Sequence, residues 1–186
     1  MLQIRIHGRG GQGVVTAAEL VALSAFKDGY YAQAFPSFGV ERSGAPIQAF
    51  ARLDQYPIIT REQIYQPDFL IVQDDSLLSN EEVLIGLNKK TRLIVNSEKK
   101  AAEISRLLKN RITAANITAC PATDIALRIL GKNLVNTVIL GAFVHTAKII
   151  TIKSLLAAVT EKFSDKSAEI ITKNHAAVLA ANQYDY

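Results

Sequence analysis

The 186-residue sequence is poor in the side chains from which self-sufficient redox or metal centres are built. Its one cysteine, Cys120, excludes an internal disulfide and a cysteine-ligated cluster within the chain. A reducing cytoplasm is the expected home. The three histidines, His7, His145 and His175, have no metal-ligand spacing, and none stands in a recognisable nucleophile–base–orienter set. No catalytic residue and no metal ligand is assigned on this basis. No apolar run approaches the roughly 20 residues of a membrane span. Met1 leads into a strand pattern rather than a signal sequence, so neither membrane nor export is expected. Excess charge is also small, at +4 overall. Its basic clusters (Lys89, Lys90 and Arg92; Lys99 and Lys100) lack the interleaved aromatics of a nucleic-acid binder and read as solvated helix ends. Without linkers, repeats or low-complexity stretches, residues 1–186 read as one domain, able to bury roughly 70% of its unfolded surface.

Glycine, in contrast, is concentrated near the amino terminus. Leu2, Ile4 and Ile6 alternate with Gln3, Arg5 and His7 as in a strand with one apolar face. Gly8-Arg9-Gly10-Gly11-Gln12-Gly13 breaks that strand, and a nearly all-apolar helix follows as far as Lys27, with Gly29 placed to end it. A glycine turn feeding a helix N-terminus presents free amides and partial positive charge, which together form an anion site. Gly8, Gly10 and Gly13 also satisfy the dinucleotide fingerprint. That fingerprint needs an acidic residue about 20 positions on to hold the ribose, and Tyr30 to Phe38 contains none. A stand-alone dinucleotide protein is thereby disfavoured. A purely structural tight turn stays open, although Arg9 and Gln12 are not needed for one.

Tyr30–Phe35 and Ile47–Leu53 read as the strands of a hairpin, the second with Ile47, Ala49, Ala51 and Leu53 on one face. Their connection, Pro36 to Pro46, carries Ser37, Phe38, Glu41 and Arg42, too many functional groups for a plain turn. Arg42 has the fork geometry to hold a phosphate or carboxylate; a surface pairing with Glu41 is the alternative. Phe69–Val72 and Arg92–Val95 are buried strands. Asp74-Asp75 is expected to cap a turn at Asp75 rather than bind Mg²⁺. Ser79 and Glu82 form a capping box opening a helix to Leu87. Ser97 starts a helix striped by Ile104, Leu107 and Leu108. Asn116–Ala119 is the last strand, and Thr123 caps a helix ended by Gly131. Val135–Ala147 belongs in a core. Thr151 and Ser164 cap the final two helices, and Tyr184–Tyr186 is a frayed or partner-bound tail. The expected fold is α/β: a three-layer αβα sandwich on a mixed, mostly parallel sheet, Rossmann-like at its start and helical in its last third.

Five collinear stretches carry a resemblance. HGRGGQG at 7–13, AFPSFGVERSGAPIQAF at 34–50, PDFLIVQDDSLL at 67–78, IVNSE at 94–98 and NTVILGAF at 136–143 resemble the gamma component of 2-oxoacid:ferredoxin oxidoreductases. The details look most like the pyruvate branch, with the 2-ketoisovalerate branch close behind. Where that family usually has proline this chain has Val40, and Ser43 stands for arginine or glycine. The resemblance implies an assembly with alpha, beta and delta subunits and, through them, ferredoxin. Thiamine diphosphate, Mg²⁺ and iron–sulfur clusters would lie in those partners, with CoA as substrate. Because both loops follow strands and so share one edge of the sheet, Gly8, Arg9, Gly10, Gly11, Gln12 and Gly13, together with Ser37, Phe38, Glu41 and Arg42, are expected to face CoA or a partner chain. A non-catalytic scaffold is the remaining alternative.

Overall fold

A computed structural model describes residues 1–37 and 44–186. The expectations for Phe38, Glu41 and Arg42 fall outside the described residues. The first strand, β1 (Leu2–Arg9), lies third in a six-stranded sheet. Antiparallel to it runs β3 (Pro46–Asp54), which pairs on its far side with edge strand β2 (Tyr31–Pro36). On the other side β4 (Phe69–Val72), β5 (Arg92–Asn96) and β6 (Ile117–Cys120) follow, all parallel to β1. The order β2-β3-β1-β4-β5-β6 is the expected mixed sheet, parallel through its larger half.

The side-chain alternation of β1 sorts the two layers. Ile4 and Ile6 enter the larger core with Ala49, Ala51, Leu53, Ile71 and Ile94. Over that face pack α1 (Val14–Lys27), α4 (Ala122–Leu130), α5 (Val135–Ala147), α6 (Ile152–Lys162) and α7 (Ala168–Asn182). The opposite face carries Leu70, Val72, Leu93 and Val95 under α2 (Glu81–Leu84) and α3 (Ala101–Leu107). Next to them, the polar set of β1 and β3 (Arg5, His7 and Arg52) is buried rather than solvated. The irregular chain through Ile64 and Tyr65 and the residues around α2 cover it, their carbonyls accepting from Arg5.

Several boundaries differ from the sequence reading, each because a tertiary partner outcompetes the local signal. Gly8 and Arg9 stay in β1, since β3 offers them Ile47 and Pro46 as ladder partners. Asp74, not Asp75, caps the 3₁₀ turn Asp75–Ser79 by accepting from the Ser76 N–H; Asp75 turns instead to Lys99 and Ser97. The capping box does not form: Asn80 accepts from the Glu82 N–H, and the Ser79 hydroxyl donates to the Ser76 carbonyl. The helix expected from Ser97 begins at Ala101, and Leu107 is 62% exposed while Ile104 and Leu108 are buried. Pro121 occupies the cap of α4 because Asn96 engages Thr123. Ser167 replaces Ser164 as the cap of α7. Thr151 caps α6 as expected, and Gly131 ends α4 in a left-handed conformation. The tail folds back: the Tyr186 hydroxyl donates to the Ala181 carbonyl at 2.5 Å, and its ring packs on His145.

Candidate functional site

Because β1, β4, β5 and β6 run parallel, their carboxyl ends share one edge, where open α/β sheets bind ligands. Gln73 to Asp75, Asn96 to Glu98, Pro121 and Thr123 meet there around a cavity of about 700 Å³, which the glycine turn reaches through Gln12. Gln12, Gln73, Asp75, Asn96, Lys99 and Thr123 are among its lining.

The glycine turn is held from both sides. The Gly10 N–H donates to the Ala45 carbonyl at 2.9 Å, and the Gly44 N–H donates to the Gly10 carbonyl at 3.2 Å. Within the turn, the Gln12 N–H donates to the Arg9 carbonyl and the Arg9 N–H to Gln12 Oε1. The Arg9 guanidinium fastens the turn to the end of β4, donating from Nε to Asp74 at 2.7 Å and from Nη2 to Ser76 at 2.7 Å. Its Nη1 donates to the Gly44 carbonyl. Burial would raise the Asp74 carboxyl, but hydrogen bonds from Ser76 and Arg9 hold it below the ordinary carboxylate value. Arg9 thus acts as a brace for the turn.

Two glycines are required by space as much as by conformation. A Cβ on Gly8 would lie 2.6 Å from Val14 Cγ2, so only glycine lets α1 settle against β1. Gly13 precedes α1 in a left-handed conformation, φ 69°, and its Cβ would meet Asn136 Nδ2 at 2.6 Å. Close helix–strand packing therefore accounts for part of the motif. It leaves Gly11, exposed at φ 93° with open space around it.

The backbone donors divide the same way. Arg9, Gly10 and Gln12 spend their N–H groups inside the protein. Among the described residues, those of Gly11, Gly13, Val14, Val15 and Thr16 have no acceptor. The first turn of α1 holds no acidic residue and no side-chain cap, so nothing within the helix offsets its partial positive charge. An anion arriving at Gly11–Thr16 would find oriented donors already in place.

Ser37 sits away from this cavity, its N–H donating to the Gln48 carbonyl and its hydroxyl accepting from Gln48 and Gln63. Of the connection between β2 and β3, the described part that reaches the glycine turn is Gly44-Ala45. Three neutral amides escaped the sequence reading. Asn96 donates to the Gln73 carbonyl and to Thr123 and accepts from the Thr123 N–H, tying β5, β4 and α4 together. Gln73 is fully buried against Gly8 and Gln12, and both polar atoms of its side chain lack a partner. Asn136 faces Gly13 from the first turn of α5. Amides carry no motif, so only their convergence in space marks them. The remaining suspects are structural: His145 bonds the Asn182 carbonyl and His175 bonds Thr160. Burial pushes the Cys120 thiol up to about 11, leaving it protonated and inert at neutral pH.

Comparison with known proteins gives a consistent picture. The model of the family "Pyruvate ferredoxin/flavodoxin oxidoreductase" matches residues 3–184. The "Pyruvate/ketoisovalerate oxidoreductases common subunit gamma" of Thermococcus kodakarensis is 47% identical over 169 residues, covering 91% of this chain and 90% of that one. "Pyruvate synthase subunit PorC" of Methanocaldococcus jannaschii is 43% identical, covering 98% and 97%. The crystal structure of pyruvate oxidoreductase subunit PORC from Thermotoga maritima superimposes with TM-score 0.82 at 32% identity, covering 98% of this chain and 95% of that one.

Proposed function

Since the chain belongs to the pyruvate ferredoxin/flavodoxin oxidoreductase family, we propose that it is the gamma subunit of a multi-subunit 2-oxoacid:ferredoxin oxidoreductase. The reaction of the assembly is oxidative decarboxylation of pyruvate with CoA, giving acetyl-CoA, CO₂ and reduced ferredoxin. The T. kodakarensis relative's name, a subunit common to pyruvate and ketoisovalerate enzymes, favours a second substrate, 2-ketoisovalerate, with the same gamma chain. Alpha, beta and delta subunits would complete the enzyme and dock ferredoxin. Iron–sulfur clusters do not fit this chain: its one cysteine is fully buried and protonated. They belong with thiamine diphosphate and Mg²⁺ in the partner subunits, which supply the carbanion and electron-transfer chemistry.

The contribution of this chain is to hold CoA at the carboxyl edge of its sheet. The observation that carries the reading is the set of amides of Gly11 and of Gly13 to Thr16, without acceptors among the described residues, at a helix start with no acidic residue. These amides would take a CoA phosphate, with Arg42 as a second positive group. Gln73, with its donor and acceptor both unfilled, offers a neutral partner to the amide or base groups of the same molecule. Positioning the acceptor thiol, rather than making or breaking bonds, is the role this leaves to the chain.

Thr16→Asp tests the site without disturbing the fold, because an acidic residue in the first helical turn stabilises α1 by about 0.3–1 kcal/mol. In the reconstituted enzyme its carboxylate should repel the phosphate and raise the KM for CoA about tenfold, with assembly and thermal stability intact. Arg42→Ala should likewise raise that KM or loosen assembly. Unchanged CoA kinetics and stoichiometry in both variants would refute the reading.

A further inference from the structure

On the sheet face turned away from the larger core lies a second cavity, of about 380 Å³. Arg5 and His7, two positions apart on β1, form part of its wall at 3% and 5% exposure. The terminal nitrogens of Arg5 donate to the carbonyls of Ile64, Tyr65, Val83 and Ile85. All four acceptors are neutral, so they orient the guanidinium without matching its charge. Burial lowers Arg5 to about 10, which still leaves it cationic at neutral pH. Arg5 Nε and His7 Nε2 are buried with no hydrogen-bond partner. Unfilled polar positions of this kind are rare in protein interiors and call for an occupant. Burial and the neighbouring Arg5 charge push His7 down to about 3, so its ring is neutral and one nitrogen carries a proton to donate.

The rest of the wall favours a small amphipathic guest. Phe50, Ile64 and Val83 are apolar and buried, whereas Tyr65 and Ile85 stand exposed at 64% and 56%. Glu82, the acid among the described lining residues, is exposed, where solvent and salt screen it. A water molecule would satisfy one nitrogen but leave the buried charge unmatched; an anion answers both needs.

We propose that this cavity binds a carboxylate, one oxygen accepting from the His7 ring and the other facing the Arg5 guanidinium, with a short carbon stem against Phe50, Ile64 and Val83. The carboxylate belongs either to a free small acid or to an Asp or Glu side chain of a neighbouring chain in the assembly. The chemistry is the same, and one experiment separates the sources. The inference stands independently of the CoA reading, since it uses another face of the sheet and other residues.

The test follows the His7 ring by NMR in the full chain carrying ¹³C-labelled histidine, titrated with acetate and propionate. Acetamide and chloride at matched ionic strength serve as controls. A saturable shift of the His7 ring with the two acids alone, lost in Arg5→Met, supports the site. Should Arg5→Met fail to fold, calorimetric titration decides, with acetate heat seen for the natural chain and lost in His7→Phe supporting the site and equal heat in both overturning it. The titration is then repeated on the assembled enzyme. A His7 signal already at its shifted position and blind to acetate assigns the carboxylate to a partner chain; a signal that still responds assigns it to a free acid. No saturable response to either acid in the isolated chain, or an equal response to chloride, overturns the proposal.

Discussion

At the level of single residues, burial has turned two ionisable groups into stability switches. His7 is neutral in the fold down to about pH 3, whereas an exposed imidazole takes its proton near 6.5. The unfolded chain therefore binds the proton first, and stability falls as the pH drops from 6.5 towards 3, by about 1.4 kcal/mol per unit. Denaturant unfolding at pH 7 and pH 5 should show the natural protein losing about 2 kcal/mol more than His7→Gln; equal losses would show that His7 is not buried neutral. Cys120 behaves in the opposite sense, its thiol held protonated to about pH 11. Its labelling by a thiol reagent at pH 8 should be slow and track global unfolding. Rapid labelling of the native chain would contradict the burial. Neither behaviour can be read from the one-dimensional sequence, where His7 is simply the polar alternate of an amphipathic strand.

Among the elements, the contact between α5 and α7 is the most exacting. A Cβ on Gly141, in the middle of α5, would stand 2.2 Å from the Val178 carbonyl and 3.0 Å from Ala181 Cβ. Asn182 also donates to the Gly141 carbonyl across the same contact. Alanine is the better helix former by about 1 kcal/mol, yet the helices would have to separate to admit it. Gly141→Ala should therefore destabilise the protein by about 2 kcal/mol in thermal or denaturant unfolding. A gain in stability would mean that propensity outweighs packing here. The cap of α6 is a milder case. Thr151 receives the Ser154 N–H, while Asp28 at the end of α1 accepts from the Thr151 N–H and from both hydroxyls. The Thr151 signal was legible because its partner lies three residues away. Asp28 was not, because its partners lie more than 120 positions along the chain.

For the molecule as a whole, sheet order bears on the dinucleotide alternative. In a nucleotide-binding α/β sheet the strand beside β1 is parallel and ends in the acidic residue that holds the ribose. Here antiparallel β3 takes that place, and only its starting end, at Pro46, reaches the carboxyl edge. On the other side Asp74 is already bound by Arg9. NAD or NADP should accordingly give no shift in melting temperature when titrated into the isolated chain, whereas binding of either would revive that alternative. The chain expressed alone should show no 2-oxoacid oxidation, and it should co-purify with larger chains when these are co-expressed.

From the sequence alone came most of what depends on neighbours a few positions apart, the Ser79–Glu82 box and the Ser164 cap being exceptions. The alternation of Leu2 to His7, the apolar runs of β4 and β5, the glycine turn before α1, the Thr151 cap and the Gly131 stop are all of this kind, and together they determined the αβα class. What the tertiary structure decided was which groups are left over once long-range partners have been taken. It gave Arg9 to Asp74 and Ser76, closed half of the glycine turn on Gly44-Ala45, and left the amides of Gly11 and of Gly13 to Thr16 without acceptors among the described residues. It also buried Arg5 beside His7 on a face that the strand pattern had marked as polar. The physical reason is that hydrogen-bond satisfaction and burial are settled by contacts remote along the chain, so a binding site made from unsatisfied donors becomes visible only after the fold has used the rest.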